Sequence, residues 1–324
     1  MKGFDPKFTD FPDYIIGITK QIWEDRDIAS LHHYYSDDIV VRSPASVVVG
    51  NQGVIAATMA TLAEFPDRTL LGEDVIWSGT PEQGMLSSHR LLSNATHRHS
   101  GIYGAATGIK LTYRIIADCH AIGNQINDEW LIRDQGAIVR QLGLKPDEYA
   151  RQQLRDEGFP DKINRPFSPA IDIDGPYKGR GNDHENGARY ADILRRIMSA
   201  EMSVIPAEYD RACHLEYPGG VTGHSHDAAD QMWMGLRASF PDAEFTVHHQ
   251  IGRDDEMMPP RAAVRWSLQG RHSGWGTFGP PTGAEVHIMG ISHAEFGPWG
   301  LRREYVMFDE TAIWKQILIH TGDV

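Results

Sequence analysis

The chain has 324 residues, 41% of them hydrophobic and 23% charged, and 31 Lys and Arg stand against 44 Asp and Glu for a net charge of −13. That sign repels phosphate backbones and anionic lipid and argues against nucleic-acid and membrane-surface roles. No apolar run reaches the ~20 residues that span a bilayer.

Met1 to Pro6 lacks an apolar stretch of signal-peptide type, so a cytoplasmic location is expected. The two cysteines, Cys119 and Cys213, have no metal-type spacing and read as reduced, buried small hydrophobes. From residue 8 to 63 apolar residues recur at helical spacing: Ile15, Ile18, Ile22 and Trp23 behind a capping Asp13, then Ile28, Leu31 and Tyr35. Residues 39–42 make a brief strand before Pro44, 47–50 another, and 52–65 a helix closed by Pro66. Four strands over 70–77, 85–100, 109–122 and 125–134 and a helix over 135–142 complete an α+β unit. Residues 145–187 open with a helix over 147–156 and then lose periodicity among Pro160, Pro166, Pro169 and Pro176, as a linker packed along the surface would. The same order then returns: helices over 184–202 and 207–212, a short strand over 214–217, a helix over 226–240, strands over 244–252, 262–272, 284–296 and 301–308, and a helix over 310–319.

The return is an internal repeat. Phe65, Pro66, Asp67 matches Phe240, Pro241, Asp242 at an offset of 175, and the offset holds for Thr107 with Thr282, Glu129 with Glu304, Trp130 with Tyr305, Asp134 with Asp309 and Gln141 with Gln316. Arg98, His99, Ser100, Gly101 matches Arg271, His272, Ser273, Gly274 at 173, which implies two extra residues in the following loop of the second copy. The expected organisation is residues 1–144 as one domain, 145–187 as linker and 188–324 as a second domain.

The residues Val264, Arg265, Trp266, then Gly270 to Gly274, Gly279 to Gly283, Glu304, Tyr305 and Asp309 resemble the SnoaL-like polyketide cyclase family of the nuclear transport factor 2-like superfamily. A thinner set in the first copy, His99, Ser100, Gly101, Gly104, Thr107, Gly108, Glu129, Trp130 and Asp134, resembles it too. The resemblance implies two tandem cone-shaped domains, each with N-terminal helices packed in a curved antiparallel sheet around a deep apolar pocket. It also implies ring closure by aldol chemistry with no metal or organic cofactor, in which a carboxylate takes the proton alpha to a carbonyl and donors hold the enolate. Single domains of this kind pair through their sheets, so an intrachain pair is expected here, with homodimerisation left open.

Candidate catalytic residues follow from where polar groups fall on the sheet. His99 and His272 end the second long strand of each copy. Alternation puts Lys110, Thr112, Arg114, Asp118 and His120 on one face of the next strand and Tyr113 on the other; in the second copy the polar set is Glu285, His287 and His293. The family's mid-strand aspartate is missing, and Asp118 with His120, or His287 or His293, are the substitutes, since an imidazole titrates near neutrality. Trp266, Tyr113, Arg42, Trp130, Tyr217 and Tyr305 are expected to line the pockets, and Asp134 and Asp309 to cap helices. His97 with His99 and His224 with His226 have His-x-His spacing but no third ligand at a usable interval, so no metal is expected. The partner these features describe is a small hydrophobic carbonyl-bearing molecule, taken either by a cyclase, isomerase or lyase or by a non-catalytic binding protein. A titratable group buried beside a donor would distinguish the first from the second.

Overall fold

The side chain of Asp10 accepts a hydrogen bond from the Asp13 amide at 2.8 Å, and with that cap helix α1 (Phe11–Thr19) begins. The computed structural model describes all 324 residues. α1 continues into a π-helical turn at Lys20–Glu24, and its buried Phe11, Tyr14, Ile15 and Ile18 face the sheet. α2 (Leu31–Tyr34), β1 (Tyr35–Ser43), β2 (Ser46–Val49) and α3 (Asn51–Glu64) follow. Four long strands, β3 (Thr69–Thr80), β4 (Gly84–Thr96), β5 (Lys110–Ile122) and β6 (Gln125–Arg133), lead to α4 (Gln135–Gln141). The sheet order is β2-β1-β6-β5-β4-β3. β1 runs parallel to β6 while every other pair is antiparallel, so the sheet is mixed.

After α5 (Pro146–Glu157) the plan repeats as α6 (Glu185–Met198), α7 (Val204–Glu208), β7 (Tyr209–Tyr217), β8 (Val221–His224), α8 (Ser225–Ser239), β9 (Glu244–Arg253), β10 (Arg261–Arg271), β11 (Glu285–Gly297), β12 (Gly300–Met307) and α9 (Glu310–Thr321). Its order, β8-β7-β12-β11-β10-β9, is the first sheet again.

The repeat is more regular than the Arg-His-Ser-Gly string suggests. His97 Nδ1 lies 3.1 Å from Thr107 Oγ1 and His272 Nδ1 lies 3.1 Å from Thr282 Oγ1. Gly101 bridges Gly104 as Gly276 bridges Gly279. The partner of His272 is therefore His97, not His99, and the offset stays at 175 through a loop with no insertion. The loop is positioned by its histidine–threonine contact and its bridge, and these do not depend on where the Arg-His-Ser-Gly string falls along it.

The two sheets face each other inside one chain. Ile76, Leu86, Ile116 and Ile132 meet Ile251, Met289, Ile291 and Met307, and Phe167 from the connecting segment is buried among them. Ion pairs surround this apolar patch: Arg265 Nε to Asp118 at 2.9 Å, Arg114 Nη1 to Glu216 at 2.9 Å, and Arg261 to Asp74. Such buried pairs come out near neutral against apolar replacements. The attraction is carried by the apolar side chains, at ~1.5–3 kcal/mol each.

The connecting segment takes part in the packing instead of only lying on the surface. The Tyr177 hydroxyl sits 2.7 Å from His249 Nε2, the Phe167 amide donates to the Pro44 carbonyl at 2.9 Å, and Lys315 of α9 reaches Glu157 at 2.7 Å. Asp134 caps α4 through the Ala137 amide and also accepts from Gly219 and Gly220 of the other domain. Those two glycines have φ of +83° and +70°, a conformation a side chain would strain. No helix is long and apolar enough to cross a membrane.

Candidate functional site

Strand alternation gives each sheet an inner, concave face under its own helices and an outer face toward the other domain. On the inner face of the first sheet, with α1 and α3 above it, lies a cavity of about 230 Å³. Fifteen of its 24 lining residues are hydrophobic, among them Ile15, Ile18, Trp23, Leu91, Ile115 and Leu131. The few polar groups are then the ones that would orient a ligand.

Three rows of paired residues cross the floor. Ser87, Cys119 and Glu129 form one, His89, Ala117 and Leu131 the next, and Leu91, Ile115 and Arg133 the third. Glu129 is 6% exposed, and its burial pushes the carboxyl up to about 7, against the pull of its interactions with Tyr35 and Cys119. His89 is buried too, and loss of water lowers its imidazole to about 4, so it is neutral at physiological pH. Ser87 Oγ lies 3.1 Å from its Nδ1. Arg68, just before β3, and Arg133, at the end of β6, line the same cavity. A carboxyl poised near neutrality, a neutral imidazole and a tyrosine hydroxyl under an apolar roof make a site able to move protons at carbon.

The second domain has the fold without the space. Thr58 and Leu91 of the first copy correspond, at the 175 offset, to Trp233 and Trp266, both fully buried. Gly290 makes room for Trp266, since a Cβ there would lie 2.2 Å from the indole. Glu304, the partner of Glu129, accepts from the hydroxyls of Tyr190, Tyr209 and Tyr217 at 2.9, 2.7 and 2.8 Å. Its burial still raises the carboxyl, but it is enclosed in a hydrogen-bonded core. Trp266→Ala should therefore cost ~3–5 kcal/mol of stability through the cavity it leaves and leave ligand binding in the first domain unchanged. Denaturant melts beside a binding titration check both parts.

None of the residues expected to carry chemistry lines the cavity. Asp118 and His120 are on the outer face of β5, paired with Arg265 and stacked on Tyr177. His293 is on the outer face of β11, with Ser88 Oγ 2.8 Å from Nε2 and Arg90 Nη1 3.2 Å from Nδ1. His287 borders a polar cleft beside the connecting segment and packs on Phe167. His272 ties down its loop through Thr282, and His99 is exposed at the corresponding turn of the first domain.

The expected binding residues are likewise elsewhere. Arg42 and Arg265 both stack on Trp130, and Arg90 on Tyr305, all between the sheets. Tyr217 and Trp266 belong to the filled second core, and Tyr113 packs in the first core beside Arg68. The His-x-His pairs are engaged elsewhere as well: His97 lies between Thr107 and Glu64, and His224 meets His214 edge to face. No three ligating side chains gather to hold a metal ion.

Sequence reasoning passed over His89, Arg68 and Arg133 and used Glu129 only as a marker of the repeat and of the family resemblance. A signal was available. Strand β4 reads Leu86, Ser88, Arg90 on one face and Ser87, His89, Leu91 on the other, and His89 and Arg133 become Val264 and Phe308 in the second copy. Polar residues of one copy that turn apolar in the other mark the copy with a site.

The SnoaL-like polyketide cyclase family matches residues 14–142, and the SnoaL-like domain family matches 188–302. The chain belongs to the SnoaL-like family, as two such domains in tandem. No curated protein matches it in sequence. Among solved structures, IdmH of Streptomyces antibioticus is 21% identical, covering 41% of this chain and 98% of its own, with a TM-score of 0.36. A SnoaL-like polyketide cyclase from Agrobacterium tumefaciens is 19% identical over 40% of this chain and 94% of its own, with a TM-score of 0.31.

Proposed function

We propose that the first domain is a cofactor-independent acid–base enzyme acting on a small carbonyl compound, and that the second is its structural partner. The observation that carries this reading is Glu129, a buried carboxyl held near neutrality in an apolar cavity that a neutral histidine and a tyrosine hydroxyl also line. The contrast with the second domain supports it, since the equivalent Glu304 is locked among three tyrosine hydroxyls with no cavity lined by it, whereas Glu129 faces one.

In this mechanism the Glu129 carboxylate removes a proton from the carbon alpha to the substrate carbonyl, leaving an enolate. In the tautomer in which the Ser87 hydroxyl donates to His89 Nδ1 and not to the Cys119 carbonyl 3.4 Å away, the Nε2–H of that ring is the donor for the enolate oxygen, and a neutral imidazole suits the task. The proton on Glu129 then returns at another carbon, or the enolate carbon attacks a second carbonyl of the same molecule and the alkoxide so formed takes the proton, or a group beta to the carbonyl leaves with the electron pair and takes the proton. These outcomes are isomerisation, aldol ring closure and elimination.

Proton abstraction is testable before the substrate is known. Small ketones incubated with the full chain in D₂O should exchange their alpha hydrogens, followed by NMR, and Glu129→Gln should remove the exchange while keeping the thermal-shift response to the same ketones. Exchange that persists in Glu129→Gln rules the mechanism out. Thr58→Trp, which copies the second domain, should abolish exchange and thermal response together, because the indole fills the space the ligand needs.

A further inference from the structure

Five arginines are buried in this protein: Arg42, Arg68, Arg90, Arg261 and Arg265. Four of them hold a carboxylate, Asp128 for Arg42, Glu73 for Arg90, Asp74 for Arg261 and Asp118 for Arg265. Arg68, 6% exposed, forms no ion pair, and its Nε has no hydrogen-bond partner. Arg133 forms none either, and its buried Nε is also without a partner. The neighbours of these guanidiniums are Tyr113 and Tyr103, not acids. A buried cation without a counter-ion is costly and is kept where something supplies the missing charge.

Both arginines line the cavity, and both belong only to the copy that has one. At the 175 offset Arg68 becomes Ala243 and Arg133 becomes Phe308, so the pair disappears together with the space. The surroundings make the point sharper, since the chain as a whole carries −13 while its cavity presents two unpaired cations.

We propose that Arg68 and Arg133 form an anion subsite that receives a carboxylate of the substrate, which makes the substrate an oxo acid. The subsite deepens the reading of this cavity as a carbonyl-compound site and rests on it. Glu129 and Arg133 are four residues apart on one face of β6, ~13 Å between Cα atoms. The carboxylate and the reacting carbonyl accordingly occupy opposite ends of a molecule several carbons long, and anchoring the acid end sets the alpha carbon against Glu129. Guanidiniums, planar and forked, suit a planar carboxylate better than a point anion.

The test uses the full chain with 4-oxopentanoate, 6-oxoheptanoate and 8-oxononanoate, each beside its methyl ester. At least one acid should bind ~10-fold or more tighter than its ester by calorimetry, and the preference should weaken with added salt. Arg68→Met should remove the preference while raising the melting midpoint of the unliganded protein, because an unpaired buried charge has gone. The acid-against-ester comparison in the unmutated chain decides the matter even if the variant does not fold. Equal binding of acid and ester, no binding by any member of the series, or a preference that survives Arg68→Met overturns the subsite. Acid binding that depends on Arg68 without alpha-hydrogen exchange upholds the subsite and refutes the catalytic reading of Glu129.

Discussion

Glu129→Gln is expected to lower alpha-hydrogen exchange by about 10²- to 10⁴-fold, the usual effect of losing a general base, and at the same time to stabilise the protein above pH 7. The two effects share one cause. In the unfolded chain this carboxyl ionises near 4.5, whereas in the folded protein burial keeps it protonated up to about 7. Its folded pKa is raised, so folding stability is unaffected below 4.5, falls as pH rises from 4.5 to 7, and is fully penalised above 7. A difference of that size corresponds to ~3 kcal/mol. Glutamine carries no such penalty, and denaturant melts of the two proteins should agree near pH 4 and diverge in favour of Glu129→Gln at pH 8. Exchange by the unmutated chain should rise through pH 7 and then level off, because His89, lowered to about 4, is already neutral there. Glu129→Gln melting like the unmutated protein at pH 8 would falsify the buried, poised carboxyl on which the mechanism depends.

Asp118→Ala should behave in the opposite way, with a large loss of stability and intact exchange. Asp118 accepts from Arg265 Nε at 2.9 Å between the two sheets, the side chains being 1% and 9% exposed. Removing the acid leaves a buried guanidinium without its counter-charge, at a cost of about 3–5 kcal/mol. Stacking on Trp130, 3.6 Å from the guanidinium carbon to the ring centroid, does not replace the lost carboxylate. Replacing both members, Asp118→Leu with Arg265→Met, should restore much of the stability, since a packed apolar pair serves such a position as well as an ion pair does. Folded Asp118→Asn that fails to exchange alpha hydrogens would return Asp118 to the catalytic group, where it was expected as a substitute for the missing mid-strand aspartate.

The amino-acid order by itself determined the duplication, the α+β class, the family resemblance and nearly every helix and strand. These depend on local signals: apolar periodicity, Pro and Gly punctuation, and capping by residues such as Asp134 and Asp309. It also revealed the two faces of β5, with Arg114, Asp118 and His120 on one and Tyr113, Ala117 and Cys119 on the other. Which face encloses the cavity was decided only by tertiary structure. A sheet that is solvated on one side announces its interior by being apolar, but these sheets are covered on both sides. Their outer faces bury Asp118, His293 and Arg90 because the other domain supplies Arg265, Ser88 and Glu295 as partners. Asp118 and His293, expected to be catalytic, thus make contacts between the domains, and the proposed catalytic residues Glu129 and His89 stand among apolar neighbours. Their altered proton affinity comes from burial, which three-dimensional packing creates and no local pattern of residues encodes.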